Sequence, residues 1–301
     1  MERHQIAVYL GALAAGGAAG WAAPGAGPVL EHAINPVLAA LLYVTFLQVP
    51  VAELGRSLRA GRFLGAALLV NFAVVPLVVA AFFTFLPADQ AIRLGVLLVL
   101  LTPCVDYVIV FSGLAGGDSQ RLLAATPLLL IAQMVLLPGY LLLFLGTGLV
   151  VEPGPFVEAF VVLIAIPLAL AWLTQAVAGE RVGAISTTMV PLMAATLFAV
   201  VASQVPKLGD DLGQVVGVVP FYVAFLVVMA FAGVAVARVF RLDVAAGRAI
   251  VFTGATRNSL VVLPLALALP DDLAAVVVVT QTLVEVVGMV VYVRVVPRLL
   301  P

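Results

Sequence analysis

Charge is scarce in this sequence. Asp, Glu, Lys and Arg supply 10% of its 301 residues, where a soluble domain carries about a quarter. The hydrophobic share is 64% and the mean hydropathy +1.26. No soluble fold hides that much apolar surface, so the bilayer serves as solvent. A single cysteine, Cys104, excludes an intrachain disulfide. The two histidines, His4 and His32, lie at membrane edges, which excludes a histidine metal site inside the membrane. A net charge of −1 argues against a nucleic-acid partner. No Gly-Lys-Ser/Thr phosphate loop and no His-Glu-x-x-His helix occurs, which excludes an ATP-driven pump and a zinc-type intramembrane protease. No enzymatic activity is expected, and no cofactor beyond a coupling ion, H+ or Na+.

What the chain does have is long apolar runs. Ten segments are long enough to cross about 30 Å of hydrocarbon as helix. They lie near Ile6–Ala22, Ile34–Val51, Phe63–Leu86, Ile92–Ala115, Leu122–Val150, Pro155–Val177, Val182–Val205, Val215–Phe240, Ala245–Leu269 and Leu273–Val296. The runs are too apolar for alternating barrel strands, and open sheet edges cannot face lipid, which leaves helices. The first run resembles a signal-peptide core; with nine spans behind it, it reads as the first span. With the N-terminus placed in the cytoplasm, eleven basic residues fall on the cytoplasmic side. Arg93 and Lys207 fall outside, and Arg257 is left within the membrane. The positive-inside rule then predicts a multi-pass protein of the cell (inner) membrane with both termini cytoplasmic.

Two polar interruptions break these spans. One is Thr102-Pro103-Cys104-Val105-Asp106 in span four; the other is Thr256-Arg257-Asn258-Ser259 in span nine. Cys104 precedes Asp118 by fourteen residues, and Arg257 precedes Asp271 by fourteen. Beyond those acids, spans five and ten carry Gln133 and Glu285. Break, closing acid and following polar residue recur in order. Five spans per half invert the second half. The expected fold is therefore an all-α membrane protein, 1–301 forming one domain. It is built as two inverted five-helix repeats, about 6–150 and 155–297, with broken, crossing helices four and nine. Paired broken spans of this kind point to a secondary transporter's solute site.

At these residues the chain resembles the bile acid/sodium symporter superfamily, and within it the arsenical-resistance, or arsenite efflux permease, branch. The resemblance rests on Pro103-Cys104 with Phe111 to Asp118 (Phe-Ser-Gly-Leu-Ala-Gly-Gly-Asp), on Leu283-Val284-Glu285-Val286, and on Ala255-Thr256-Arg257-Asn258. It implies ten helices divided into a panel and a core. In arsenite permeases it also implies a functional cysteine in span four and glutamates in spans nine and ten. Cys104 and Glu285 match two of these positions. Ser259, twenty-six residues before Glu285, stands where the span-nine glutamate is expected. Asp106 and Arg257 are additions to the pattern.

Each candidate has two readings. Cys104 is a soft ligand for arsenic(III) or antimony(III) as substrate, or a small buried apolar residue. Arg257 contacts an anionic substrate and Asp106 takes a proton or sodium ion, or the two form a structural ion pair. Glu285, near Thr280, Gln281 and Thr282, couples an ion, or is a hydrogen-bonded core acid. Thr102, Asn258 and Ser259 line the site or satisfy backbone freed by the breaks. Other polar residues read as ordinary. Asn71 lies in span three, and Gln133, Gln175 and Gln204 are expected to hydrogen-bond between helices. The glycines of span one read as helix-packing positions. The expected function is ion-driven export of arsenite, antimonite or a related small solute; the alternative is a sodium-coupled, bile-acid-type organic-anion symporter. The expected partners are membrane lipid and a small-molecule substrate; the number of subunits is left open.

Overall fold

A computed structural model describes residues 2–47, 61–105, 107–146, 161–178, 188–207, 212–267 and 271–301, with 154, 158 and 269 besides. Asp106, expected in the site, lies outside the described residues. The described chain is helical, as expected for a backbone that must satisfy its own hydrogen bonds in lipid.

Among the described residues twelve helices follow in order. They are α1 (Glu2–Ala22), α2 (Gly27–Leu47), α3 (Gly61–Phe83), α4 (Gln90–Leu100), α5 (Tyr107–Leu114) and α6 (Ser119–Leu145). The second half holds α7 (Ile166–Ala178), α8 (Met189–Gln204), α9 (Leu212–Val239), α10 (Val244–Ala255), α11 (Ser259–Leu267) and α12 (Leu273–Leu299). Six stretches, containing α2, α3, α6, α8, α9 and α12, are long and apolar enough to cross a membrane by themselves. The shorter apolar helices include α1, α4, α7 and α10. Large apolar side chains point outward along these helices, among them Leu77, Val135, Leu143 and Phe231, each more than 60% exposed. A belt of this kind suits lipid and would not survive in water.

Some boundaries differ from expectation. The second helix begins at Gly27 rather than Ile34. Pro28 sits in its first turn, where the missing N–H costs nothing. In α3 the turn Val70–Val74 is a π-helix. Pro76 cannot donate to the carbonyl of Phe72; the Tyr140 hydroxyl does so instead, at 2.6 Å.

The helices form two groups. In one, α1 packs on α8, α8 on α2, and α2 on α7. Gly16 and Gly20 make the first contact possible: a Cβ there would stand 2.8 Å and 2.7 Å from the carbonyl oxygens of Phe198 and Ala202. This is the small-residue close approach that membrane helices use. In the other group α9 packs on α10 and α12, and α12 packs on α4 and α11. The groups meet where α2 touches α11 and where α1 and α8 touch α12.

Candidate functional site

Both interruptions fall where the sequence places them. Helix α4 stops at Leu100 and α5 starts at Tyr107; α10 stops at Ala255 and α11 starts at Ser259. Pro103 has no N–H and pushes Thr102 out of the helical region, which ends α4. Each break opens on a threonine whose hydroxyl caps the turn behind it. Thr102 Oγ1 donates to the Leu98 carbonyl at 2.6 Å, and Thr256 Oγ1 to the Phe252 carbonyl at 2.8 Å.

The breaks then satisfy each other. The Cys104 N–H donates to the Thr256 carbonyl at 3.1 Å, and the Asn258 N–H to the Thr102 carbonyl at 2.7 Å. This is a short antiparallel bridge centred on Pro103 and Arg257. Pro103, which has no donor, takes the paired position whose N–H the bridge does not use. The closing acids also serve helix starts. Asp118 accepts from the Arg121 N–H at 2.9 Å, and Asp271 from the Leu273 N–H at 2.9 Å.

Glu285 of α12 ties its helix to this crossing. It is fully buried. Its Oε1 accepts from the Tyr107 hydroxyl at 2.5 Å, and its Oε2 accepts from the main-chain N–H of Arg257 at 2.8 Å and from the Gln281 amide. One carboxyl group thus joins the first residue of α5, the second break and α12. Beside it Thr282 donates to the Ser259 hydroxyl at 2.6 Å. Asn258 caps α11, its Oδ1 accepting from the Val261 N–H at 3.1 Å.

Arg257 is buried and turned into the protein. Its guanidinium donates to the Leu100 carbonyl at 3.3 Å, to Asn71 Oδ1 at 2.8 Å, and to the Thr253 and Gly254 carbonyls, both at 2.7 Å. Its central carbon stands 5.6 Å from the Phe225 ring centroid. Asn71 is therefore not an ordinary span-three residue. Its amide donates to the Ala67 carbonyl and the Thr253 hydroxyl, which points Oδ1 at the arginine.

The structure thus gathers Thr102, Cys104, Arg257, Asn258, Ser259 and Glu285, all buried, around one crossing. Sequence reasoning missed Asn71 and Tyr107. Tyr107 carried a faint signal as the first residue after a break; Asn71 stood out only as a polar residue within an apolar span. Among the described residues no three His, Cys, Asp or Glu side chains cluster as a metal site. Gln175 bonds across helices to the carbonyls of Phe46 and Leu47 as expected. Gln133 does not, since both its amide atoms are buried without a partner among the described residues. Among the described residues Gln204 reaches only its neighbour Ser203.

A buried crossing of two interrupted helices, inside a bundle whose long helices turn apolar side chains outward, marks a multi-pass membrane protein. Comparison then supplies the family. A profile of the sodium bile acid symporter family matches residues 35–210, more than half of the chain, so the protein belongs to that family. The members of this family are transporters, not enzymes. The match includes the first break and ends before the second. No curated protein matches the sequence.

Proposed function

We propose that this protein is an ion-driven secondary transporter of the cell (inner) membrane. Its solute site is the crossing, and Glu285 with Asp106 are its ion-coupling acids. The observation that carries this reading is the exchange of main-chain hydrogen bonds between two breaks that share one buried carboxylate. Irregular backbone at membrane depth persists only where protein or a cavity satisfies it, and transporters place their sites there. The reading takes the chain as ten spans in two inverted five-helix repeats, with α4–α5 and α10–α11 as the broken spans and both termini cytoplasmic. The packing of α1 on α8 and of α2 on α7 supports it, since a two-fold exchange of halves interconverts the two contacts.

Two substrate classes fit. A metalloid oxyacid, arsenite or antimonite, is favoured by the thiol of Cys104 within the crossing, since one soft ligand captures and releases where several would retain. An organic anion is favoured by the family and by two donors. Helices α5 and α11 both begin at the crossing with their positive ends. The buried Asn258 Nδ2 lacks a partner among the described residues.

Transport in proteoliposomes under an imposed proton or sodium gradient separates them. Arsenite and a bile-acid-type anion are offered in turn to the parent and to Cys104→Ser. The metalloid reading expects arsenite movement that the serine variant abolishes. The organic-anion reading expects anion movement that both proteins support. Movement of neither solute under either gradient removes both readings.

A further inference from the structure

The surroundings of Arg257 do not resemble an ordinary arginine pairing. Arginine normally meets a carboxylate through a two-pronged fork. Here every acceptor among the described residues is a neutral oxygen. Nη2 carries two hydrogens but stands 2.7–2.8 Å from three oxygens: Asn71 Oδ1 and the carbonyls of Thr253 and Gly254. Nε–H has no acceptor among the described residues. The group is held by its charge in a shell of oxygens rather than by matched hydrogen bonds. Glu285 meets the main-chain N–H of Arg257.

The source of the oxygens explains the shell. Thr253 and Gly254 close α10, and Leu100 closes α4. The last carbonyls of a helix have no intrahelical partner and carry its negative end. Both broken spans therefore aim negative ends at one spot in the bilayer interior, where such partial charge needs a cation. Half-helix C-termini and unwound carbonyls are a usual cradle for a coupling cation in transporters.

We infer that the oxygen shell of Asn71, Leu100, Thr253 and Gly254 is a monovalent-cation site permanently filled by the guanidinium of Arg257. The protein carries its own tethered cation and needs no sodium ion there. This deepens the reading of the crossing as the transport centre and rests on it; coupling then falls to the carboxyl groups. Three oxygens at 2.7–2.8 Å from a nitrogen need close only slightly to hold a bare hard cation, for which calcium sites show about 2.3–2.6 Å.

Thermal unfolding of the purified protein tests this without any transport assay. Sodium chloride is exchanged for choline chloride at constant ionic strength. The parent and Arg257→Lys, which keeps a tethered charge, should show the same difference in unfolding temperature between the two salts. Arg257→Ser opens the shell and should gain a sodium-specific upward shift of about 2–4 °C, the size expected for a ligand at several times its Kd in a protein of this length. Adding Asn71→Leu to Arg257→Ser should abolish that shift. Should Arg257→Ser be unfolded in choline, sodium should restore its folding. The inference is overturned by an Arg257→Ser protein whose stabilisation by sodium is no larger than the parent's and which sodium does not refold. Failure of the transporter reading is seen separately, as absence of solute movement in proteoliposomes.

Discussion

Glu285 is the residue on which most of the site converges, and its partners say how it will respond to change. Three donors reach its two oxygens, from Tyr107, Gln281 and the Arg257 main chain. In Glu285→Gln the side chain can keep its oxygen toward the Arg257 and Gln281 N–H groups and turn its NH2 toward the Tyr107 hydroxyl, which can accept. The variant should fold with an unfolding temperature close to the parent's. Since an amide carries no proton, it should lose the response of transport to an imposed proton gradient. Tyr107→Phe removes one donor and leaves the carboxyl group, so it should slow transport while keeping that response. A Glu285→Gln protein that responds like the parent would make the acid purely structural.

At the scale of the element, the half-helices are the vulnerable parts. Helix α10 is only twelve residues long and stops at the break. Its start depends on Asp243, whose side chain accepts from the Ala246 N–H at 2.9 Å and from Arg121 at 2.9 Å. The Ala246 bond, with Arg121 next, holds the Asp243 carboxyl below its usual 3.8. A carboxylate so held contributes stability that is complete above about 3.8 and drains away as pH falls through the lower, folded value. Asp243→Ala should cost about 0.5–2 kcal/mol as a lost N-cap. The loss should be seen as a lower unfolding temperature at neutral pH, with the gap to the parent narrowing below pH 4. A gap that widens in acid would contradict the capping account. Asp243→Asn, an equally good cap residue, should recover most of the difference at neutral pH.

For the whole molecule, the proposed transport cycle would work through the relation between the two helix groups. Lys207, just past α8, binds Glu31 of α2 at 2.7 Å and Asp272, at the start of α12, at 2.8 Å. It thus pins one group to the other at one end of the bundle. On the proposed orientation, with both termini cytoplasmic, that end lies outside. Lys207→Gln should free the groups to part there. In a Cys104→Ser background carrying Thr282→Cys, an impermeant thiol reagent applied from outside should then label faster. The gain should be up to about fivefold per pair lost, since partly exposed pairs contribute about 0.2–1 kcal/mol each. The gain should shrink at high salt. Unchanged labelling would show that the lysine does not hold the groups together.

The sequence alone determined which segments are helical and where two of them break, because these are local properties. A run of apolar residues has no stable state in lipid but helix, and Pro103 ends a helix wherever it stands. It also singled out Cys104, Arg257 and Glu285, since polar groups inside apolar runs are costly enough to stand out. Which of them meet, and through which atoms, was decided by the tertiary structure. Arg257 and Asn71 are 186 residues apart, and Tyr107 and Glu285 are 178 apart. No periodicity within a helix encodes a partner at that distance. The arginine looked like a ligand for a solute anion or a partner for Asp106. The fold turned its guanidinium to the carbonyl ends of two half-helices, because those ends come together only when the breaks cross.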